Sequence, residues 1–325
     1  MLGPRESGEL IAGLAENVTI NNAAIEKLGD VLVDQISAGR LIPDNFSQVE
    51  VHPKAEDNHA LAWIFIVDTL NFCFWHHEHE EGWKVDGYTG YFALCAAINR
   101  ALKEKVDILN PMFFSVITDQ QLRKVLRGDT EVETPLLFER VKCLREVGSV
   151  LLEKFEGSFQ NVVKQANNDA KQLLKLIVEN FKCFRDEAEY RGRKVAFYKR
   201  AQILVADIWA CFRNLKNINQ ITMFADYRVP QTLLWFGVFT YSERLHKKLS
   251  ENVVLNCGES DEVEIRGCSI HAVELLKKYA VAKLGAEGKI NSVLIDHFLW
   301  DFRRKHAGDI LNKGLPFHKT FGIYY

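Results

Sequence analysis

Apolar residues recur at spacings of three and four along most of this chain, the signature of helices that bury one face. Residues 18–38 are amphipathic. The apolar run 59–75 is predicted to be a buried core helix, capped by Asp57 or Asn58. Further helices are predicted over 87–103, 119–126, 136–155, 160–184, 195–212 and 230–249, with Pro135 and Pro230 suited to opening two of them. One stretch differs. Val253 to Asn256 and Val263 to Arg266 flank a polar turn and read as a small β-hairpin within 253–266. Ser269 then caps a helix reaching Leu284, and Ser292 caps a last one over 292–305. No repeat, low-complexity tract or flexible linker intervenes. The expectation is one mainly α domain spanning residues 1–325.

The helix over 292–305 carries the most informative residue. At roughly 100° per residue, Val293, Leu294, Ile295, Phe298, Leu299 and Phe302 form one broad apolar arc. Asp301 falls inside that arc, one turn after His297, whereas Asp296 falls outside it. A carboxylate on a core-facing stripe is costly unless it is paired or chemically engaged, so Asp301 is the leading candidate for chemistry. Asp68 and Asn71, one turn apart in an apolar helix, suit substrate recognition or, more simply, a satisfied core pair. Between Phe224 and Gln231 (FADYRVPQ) an acid, a phenol, a guanidinium and an aromatic ring converge in a loop before a helix. Two readings stand there. Phe224 stacks on a flat heteroaromatic base whose N–H groups Asp226 accepts, or Asp226 and Arg228 form an ion pair that stabilises the loop. His52 sits in a loop before the core helix. Lys199 and Arg200 open an apolar helix, where they suit a phosphate or simply form a solvated basic edge.

Charge and composition narrow the class. A net charge of −2, from 41 basic and 43 acidic residues, gives no global field to hold a long polyanion, so a small substrate is favoured over duplex DNA or tRNA. The 7 cysteines form no CxxC pair and read as buried thiols of a reducing compartment. The N-terminus lacks the pattern of a signal peptide, and the most membrane-like run, 60–75, is short and contains Asp68 and Asn71. His76, His77 and His79, with Glu78, Glu80 and Glu81, crowd too closely for one helix face. They read as a solvated helix end rather than a metal site. No GxSxG, P-loop or GxGxxG is present.

Five segments taken together resemble one family. FADYRVPQ from Phe224, YKRAQILVADIW from Tyr198, VEIRGCSIHAVELL from Val263, IDHFLWD from Ile295 and the terminal Ile323-Tyr324-Tyr325 resemble the queuosine salvage proteins, the queuosine 5′-phosphate N-glycosylases/hydrolases. The resemblance implies a cytoplasmic hydrolase that cleaves the N-glycosidic bond of queuosine 5′-monophosphate. It releases queuine, a 7-deazaguanine base reused in tRNA modification. It implies a helical fold resembling the helix-hairpin-helix DNA glycosylases, although a glycine-rich hairpin for gripping DNA is not recognisable here. Carried over by position, His52, Phe224, Asp226 and Asp296 bind the base, and Asp301 is catalytic. Charge and position suggest Lys199 for the 5′-phosphate. No cofactor or metal is expected, and no membrane or nucleic-acid partner. Two other readings are a base-lesion glycosylase of similar fold and a non-catalytic base-binding or scaffold protein.

Overall fold

The computed structural model describes residues 2–76, 82–285, 288 and 290–325. In chain order the helices are α1 (Pro4–Leu14), α2 (Asn22–Ser37), α3 (Asn45–Gln48), α4 (Ala60–Leu70), α5 (Gly90–Lys103), α6 (Pro111–Phe114), α7 (Asp119–Val125) and α8 (Leu137–Lys154). They continue with α9 (Phe159–Gln165), α10 (Ala170–Asn180), α11 (Lys199–Phe212), α12 (Val229–Trp235), α13 (Glu243–Ser250), α14 (Ser260–Leu284), α15 (Ser292–Lys305) and α16 (Ala307–Asn312). Short antiparallel pairs tie loops together: β1 (Val18–Ile20) with β6 (Phe239–Tyr241), β2 (Lys84–Val85) with β3 (Tyr88–Thr89), and β4 (Glu187–Tyr190) with β5 (Arg193–Ala196). The chain is mainly α, as the apolar periodicity predicts.

Two apolar cores form. One gathers around α4 with α5, α8, α9 and α11, the other around α14 with α1, α2, α12 and α15. In the second, α1 crosses α14 at a pair of glycines. A Cβ on Gly267 would lie 2.5 Å from that of Ile11, and one on Gly8 would lie 2.8 Å from Cγ2 of Ile270, so only glycine allows this approach.

The predicted hairpin over 253–266 does not form. Val263 to Arg266 lie in the first turns of α14, which runs on through Ser269, so Ser269 caps nothing. The alternation of apolar and charged residues suggested a strand with a solvated face, but the charged residues are buried and paired. Glu264 accepts the backbone N–H groups of Glu16, Asn17 and Val18, and Arg266 pairs with Glu262 one turn away and with Asp186. In this setting helical spacing is read from ion pairs, not from hydropathy.

Other boundaries shift for local reasons. The run 59–75 stops being helical after Leu70, where two buried guanidiniums take its last carbonyls. Arg200 donates to Thr69 O at 2.6 Å, and Arg140 donates to Leu70 O and to Cys73 O. The run 160–184 breaks at Asn167 and Asn168, both at φ 53°, after which Asp169 caps α10 through Gln172 N at 2.9 Å. The predicted helix from Pro230 ends early, because Gly237 at φ 71° turns the chain into β6 and Ser242 caps α13. The last predicted helix, α15, begins at Ser292, but its cap is Asn291, which accepts Leu294 N, and α16 follows it.

Candidate active site

A cavity of about 370 Å³ opens at the seam between the two cores. His52, Lys199, Phe224, Asp226, Asp296 and Asp301 all line it. They come from four separate stretches of chain, so the fold alone brings them together.

The closed end is acidic. Asp226 and Asp296 are 8% and 4% exposed, and Lys199 is 6% exposed between them in charge terms. One oxygen of Asp226 accepts the N–H groups of Arg228 and Val229, at 2.9 and 2.7 Å, which turns the loop into α12. That geometry corrects the ion-pair reading: Asp226 holds the loop through backbone, and its other oxygen carries no hydrogen bond among the described residues. Asp296 accepts the N–H of Phe224 at 3.0 Å. Burial raises the pKa of Asp226 and of Asp296, the latter well above the ordinary carboxylate value with the Asp226 charge adding to it. Burial also lowers the Lys199 ammonium to about 8, against the pull of Asp226.

Buried Arg266 sets this end from behind. It donates to Ala225 O at 3.0 Å and to Asp186 at 2.9 Å, while Asp186 accepts the backbone N–H of Lys199 at 3.0 Å. One guanidinium therefore places both the loop carrying Phe224 and Asp226 and the first turn of α11. The VEIR segment contributes this support, which its misread periodicity concealed.

His52 is in a single hydrogen-bonding state. Its Nδ1 faces Phe46 O at 3.0 Å, and only a donor N–H suits a carbonyl. Burial depresses its pKa to about 4, so near neutrality Nε2 is a bare acceptor, and it has no partner among the described residues. The ring packs against Phe46 at 4.2 Å and against Tyr91 and Phe92 at 5.5 and 5.9 Å. Phe224 and His297 lie 6.2 Å apart across the cavity wall.

Asp301 and Asp296 exchange the surroundings that the helical wheel suggested. The first turn of α15, Ser292 to Asp296, is buried on every side, so Asp296 is buried although it lies off the apolar arc. By Asp301 the same arc has left the core and faces the cavity, and this carboxyl is exposed to it. A wheel assumes one burial pattern along the whole axis, but α15 enters the core end-on. Desolvation by the walls still raises the Asp301 pKa, opposed by Lys305 and Arg304. The rim nearby is basic and polar, with exposed Arg40, Asn45 and Lys305. Lys199 lies apart from that rim, among the acids.

Among the lining residues that the sequence did not single out are Asp207 and Tyr91. Asp207 follows Lys199 and Ile203 at intervals of four on α11, a spacing that could have flagged it. Asn71 donates to Asp68 at 3.3 Å, as a core pair should, yet it also reaches the cavity. Among the described residues, no group of three His, Cys, Asp or Glu side chains is placed to hold a metal ion. The segment from His77 to Glu81 lies outside the described residues. No described helix is long and apolar enough to cross a membrane.

This geometry has a context among known proteins. Residues 51–325 match the family model described as queuosine salvage protein. The chain is 43% identical to the queuosine 5′-phosphate N-glycosylase/hydrolase of Mus musculus, across 100% of this chain and 99% of that protein. It is 42% identical to the Bos taurus protein of the same name, with coverage of 100% and 99%. It is 34% identical to the one from Sphaerobacter thermophilus, with coverage of 100% and 98%.

Proposed function

This chain belongs to the queuosine salvage protein family, and from that premise we propose that it hydrolyses the N-glycosidic bond of queuosine 5′-monophosphate and releases queuine. One observation carries the reading. The cavity is acidic at its closed end, basic at its rim, and has Asp301 on the same helix as an acid of the closed end and a base of the rim. A nucleotide with a donor-rich base fits that polarity with its base inward and its phosphate outward. C1′ then lies between the two, where Asp301 stands.

At the closed end, Asp226 and the bare Nε2 of His52 accept N–H groups of the base, and Phe224 covers a ring face. Asp296 uses one oxygen for Phe224 N–H. Its raised pKa keeps a proton on the carboxyl, which donates to an acceptor of the base and eases its departure. Lys199 balances these acids. The phosphate, which charge and position in the sequence assigned to Lys199, goes in this reading to Arg40, Asn45 and Lys305 at the rim, because Lys199 lies at the closed end beside Asp226.

Breaking the C1′–N9 bond develops positive charge on the sugar. Ionised Asp301 stabilises that charge and takes a proton from the attacking water. Partial desolvation strengthens the first effect. Walls drawn from Gln35 through Lys305 support the whole chain acting as one unit, and kinship with the helix-hairpin-helix DNA glycosylases belongs to the same reading. A reaction that feeds tRNA modification, in a chain whose described cysteines are all free thiols, suits the cytoplasm. The test is incubation with queuosine 5′-monophosphate, followed by mass detection of queuine. Release by the wild-type protein and its loss in Asp301→Asn are expected. No release by the wild type would overturn the reading.

A further inference from the structure

We propose that Asp207 determines specificity for the side arm of the base, by pairing with the protonated amine that the arm carries. The proposal rests on the substrate reading above. Queuine differs from plain 7-deazaguanine by an aminomethyl arm at C7 that ends in a hydroxylated ring. A secondary aliphatic amine of this kind is cationic near neutrality.

The position of Asp207 suits that cation. On α11, Lys199, Ile203 and Asp207 form one stripe along the cavity, and Asp207 lies eight residues beyond Lys199, about 12 Å along the axis. The end that reads the base and the Asp207 carboxyl are thus separated along the cavity, as the two ends of an extended base require.

The surroundings of Asp207 lack a protein cation. Its carboxyl is 7% exposed beside Tyr91, and burial, with the Asp68 charge adding to it, holds its pKa well above the ordinary carboxylate value, so it is the arriving ammonium that favours its ionised form. Asp68 is fully buried behind it. One Asp68 oxygen takes Asn71 Nδ2 and the other has no partner among the described residues. Asp68 does not line the cavity and is acted on by Lys199 and Arg200, whereas Asp207 lines the cavity and the charges acting on it are acidic. An ammonium entering the cavity supplies the missing charge.

The neighbouring groups complete a pocket for such an arm. The Tyr91 ring lies 6.3 Å from that of Trp300, while Arg304 already stacks over Phe92 and Trp300 at 4.4 and 5.0 Å, so Tyr91 is the aromatic wall left to the arm. A neutral or absent arm would leave the carboxylate uncompensated, and that difference is what confers selectivity.

The test compares kcat/KM for queuosine 5′-monophosphate with kcat/KM for 7-deazaguanosine 5′-monophosphate, which has no arm. The wild type is expected to prefer the former at least about tenfold, the scale of one charge-assisted hydrogen bond. Asp207→Asn is expected to reduce that ratio about tenfold, chiefly through KM for the substrate bearing the arm. An unchanged ratio would overturn the proposal. If melting curves show that the variant does not fold, competition binding of queuine and 7-deazaguanine to the wild-type protein decides. Tighter queuine binding supports the proposal, and equal or weaker binding overturns it. Failure of the parent reading looks different: the wild type then releases no queuine at all.

Discussion

The backbone N–H of Phe224 donates to Oδ1 of Asp296 at 3.0 Å, which links the loop that covers the base to the helix that carries Asp301. Asp296, proposed as a ligand, is therefore also a brace. Asn keeps an acceptor for Phe224 and a donor in place of the carboxyl proton, whereas Ala keeps neither. Asp296→Ala is expected to lower the melting temperature and weaken base binding by about 1–3 kcal/mol. Asp296→Asn should retain most of both. Calorimetric melting and queuine titration of the two variants check this, and equal behaviour of Asn and Ala would contradict the bracing role.

Asp301 forms no hydrogen bond or ion pair among the described residues, so its replacement should leave the fold intact. Asp301→Asn is expected to reduce kcat on the order of 10²–10³-fold while binding persists. Single-turnover rates, read beside a dissociation constant, separate the two effects.

In the proposed mechanism the same residue sets the acid limb of the pH profile. Desolvation raises its pKa above the ordinary 3.8, and only the ionised form works. The value of kcat should therefore fall as pH drops through a pKa above 3.8. A profile that stays flat down to about pH 4 would remove Asp301 from this role.

Lys199 and the rim cations should separate cleanly. Lys199→Met leaves Asp226 and Asp296 without their nearest ammonium, so affinity for the base is expected to fall while the preference for phosphorylated over unphosphorylated nucleoside persists. The double variant Arg40→Ala, Lys305→Ala should instead lower that preference about tenfold. Specificity constants for queuosine and its 5′-monophosphate decide. Collapse of the preference in Lys199→Met would place the phosphate deep in the cavity.

His318 is a stability probe remote from these arguments. It is 1% exposed, neither ring nitrogen has a partner among the described residues, and burial lowers its pKa from 6.5 to about 3. Between those values the unfolded chain takes up a proton that the folded imidazole refuses, so stability falls as pH falls through this window. His318→Phe should flatten the loss of melting temperature on acidification from pH 6.5 to about 4, and an unaltered slope would refute the assignment.

Much of the local structure was legible because it depends on neighbours in the chain. The amphipathic periods of α2, α5 and α8 and the acid-bearing α15 follow from residues three and four apart. Even some misses carried local signals, such as Asn167-Asn168-Asp169 before α10. Single candidates such as Asp301 and Asp226 were legible locally, but their membership of one site was legible only through likeness to a family, since no single stretch holds it. What no local pattern contains is where a buried charge finds its partner. Glu264 meets backbone N–H groups some 246 to 248 residues away, and Arg266 meets Asp186 80 residues away. Those distant partners make a helix of a segment that alternates like a strand. In the same way, Asp296 is buried and Asp301 open because α15 enters the core end-on. Helical phase is local, but desolvation depends on every element packed around a residue, so only the assembled fold gives these two acids different surroundings.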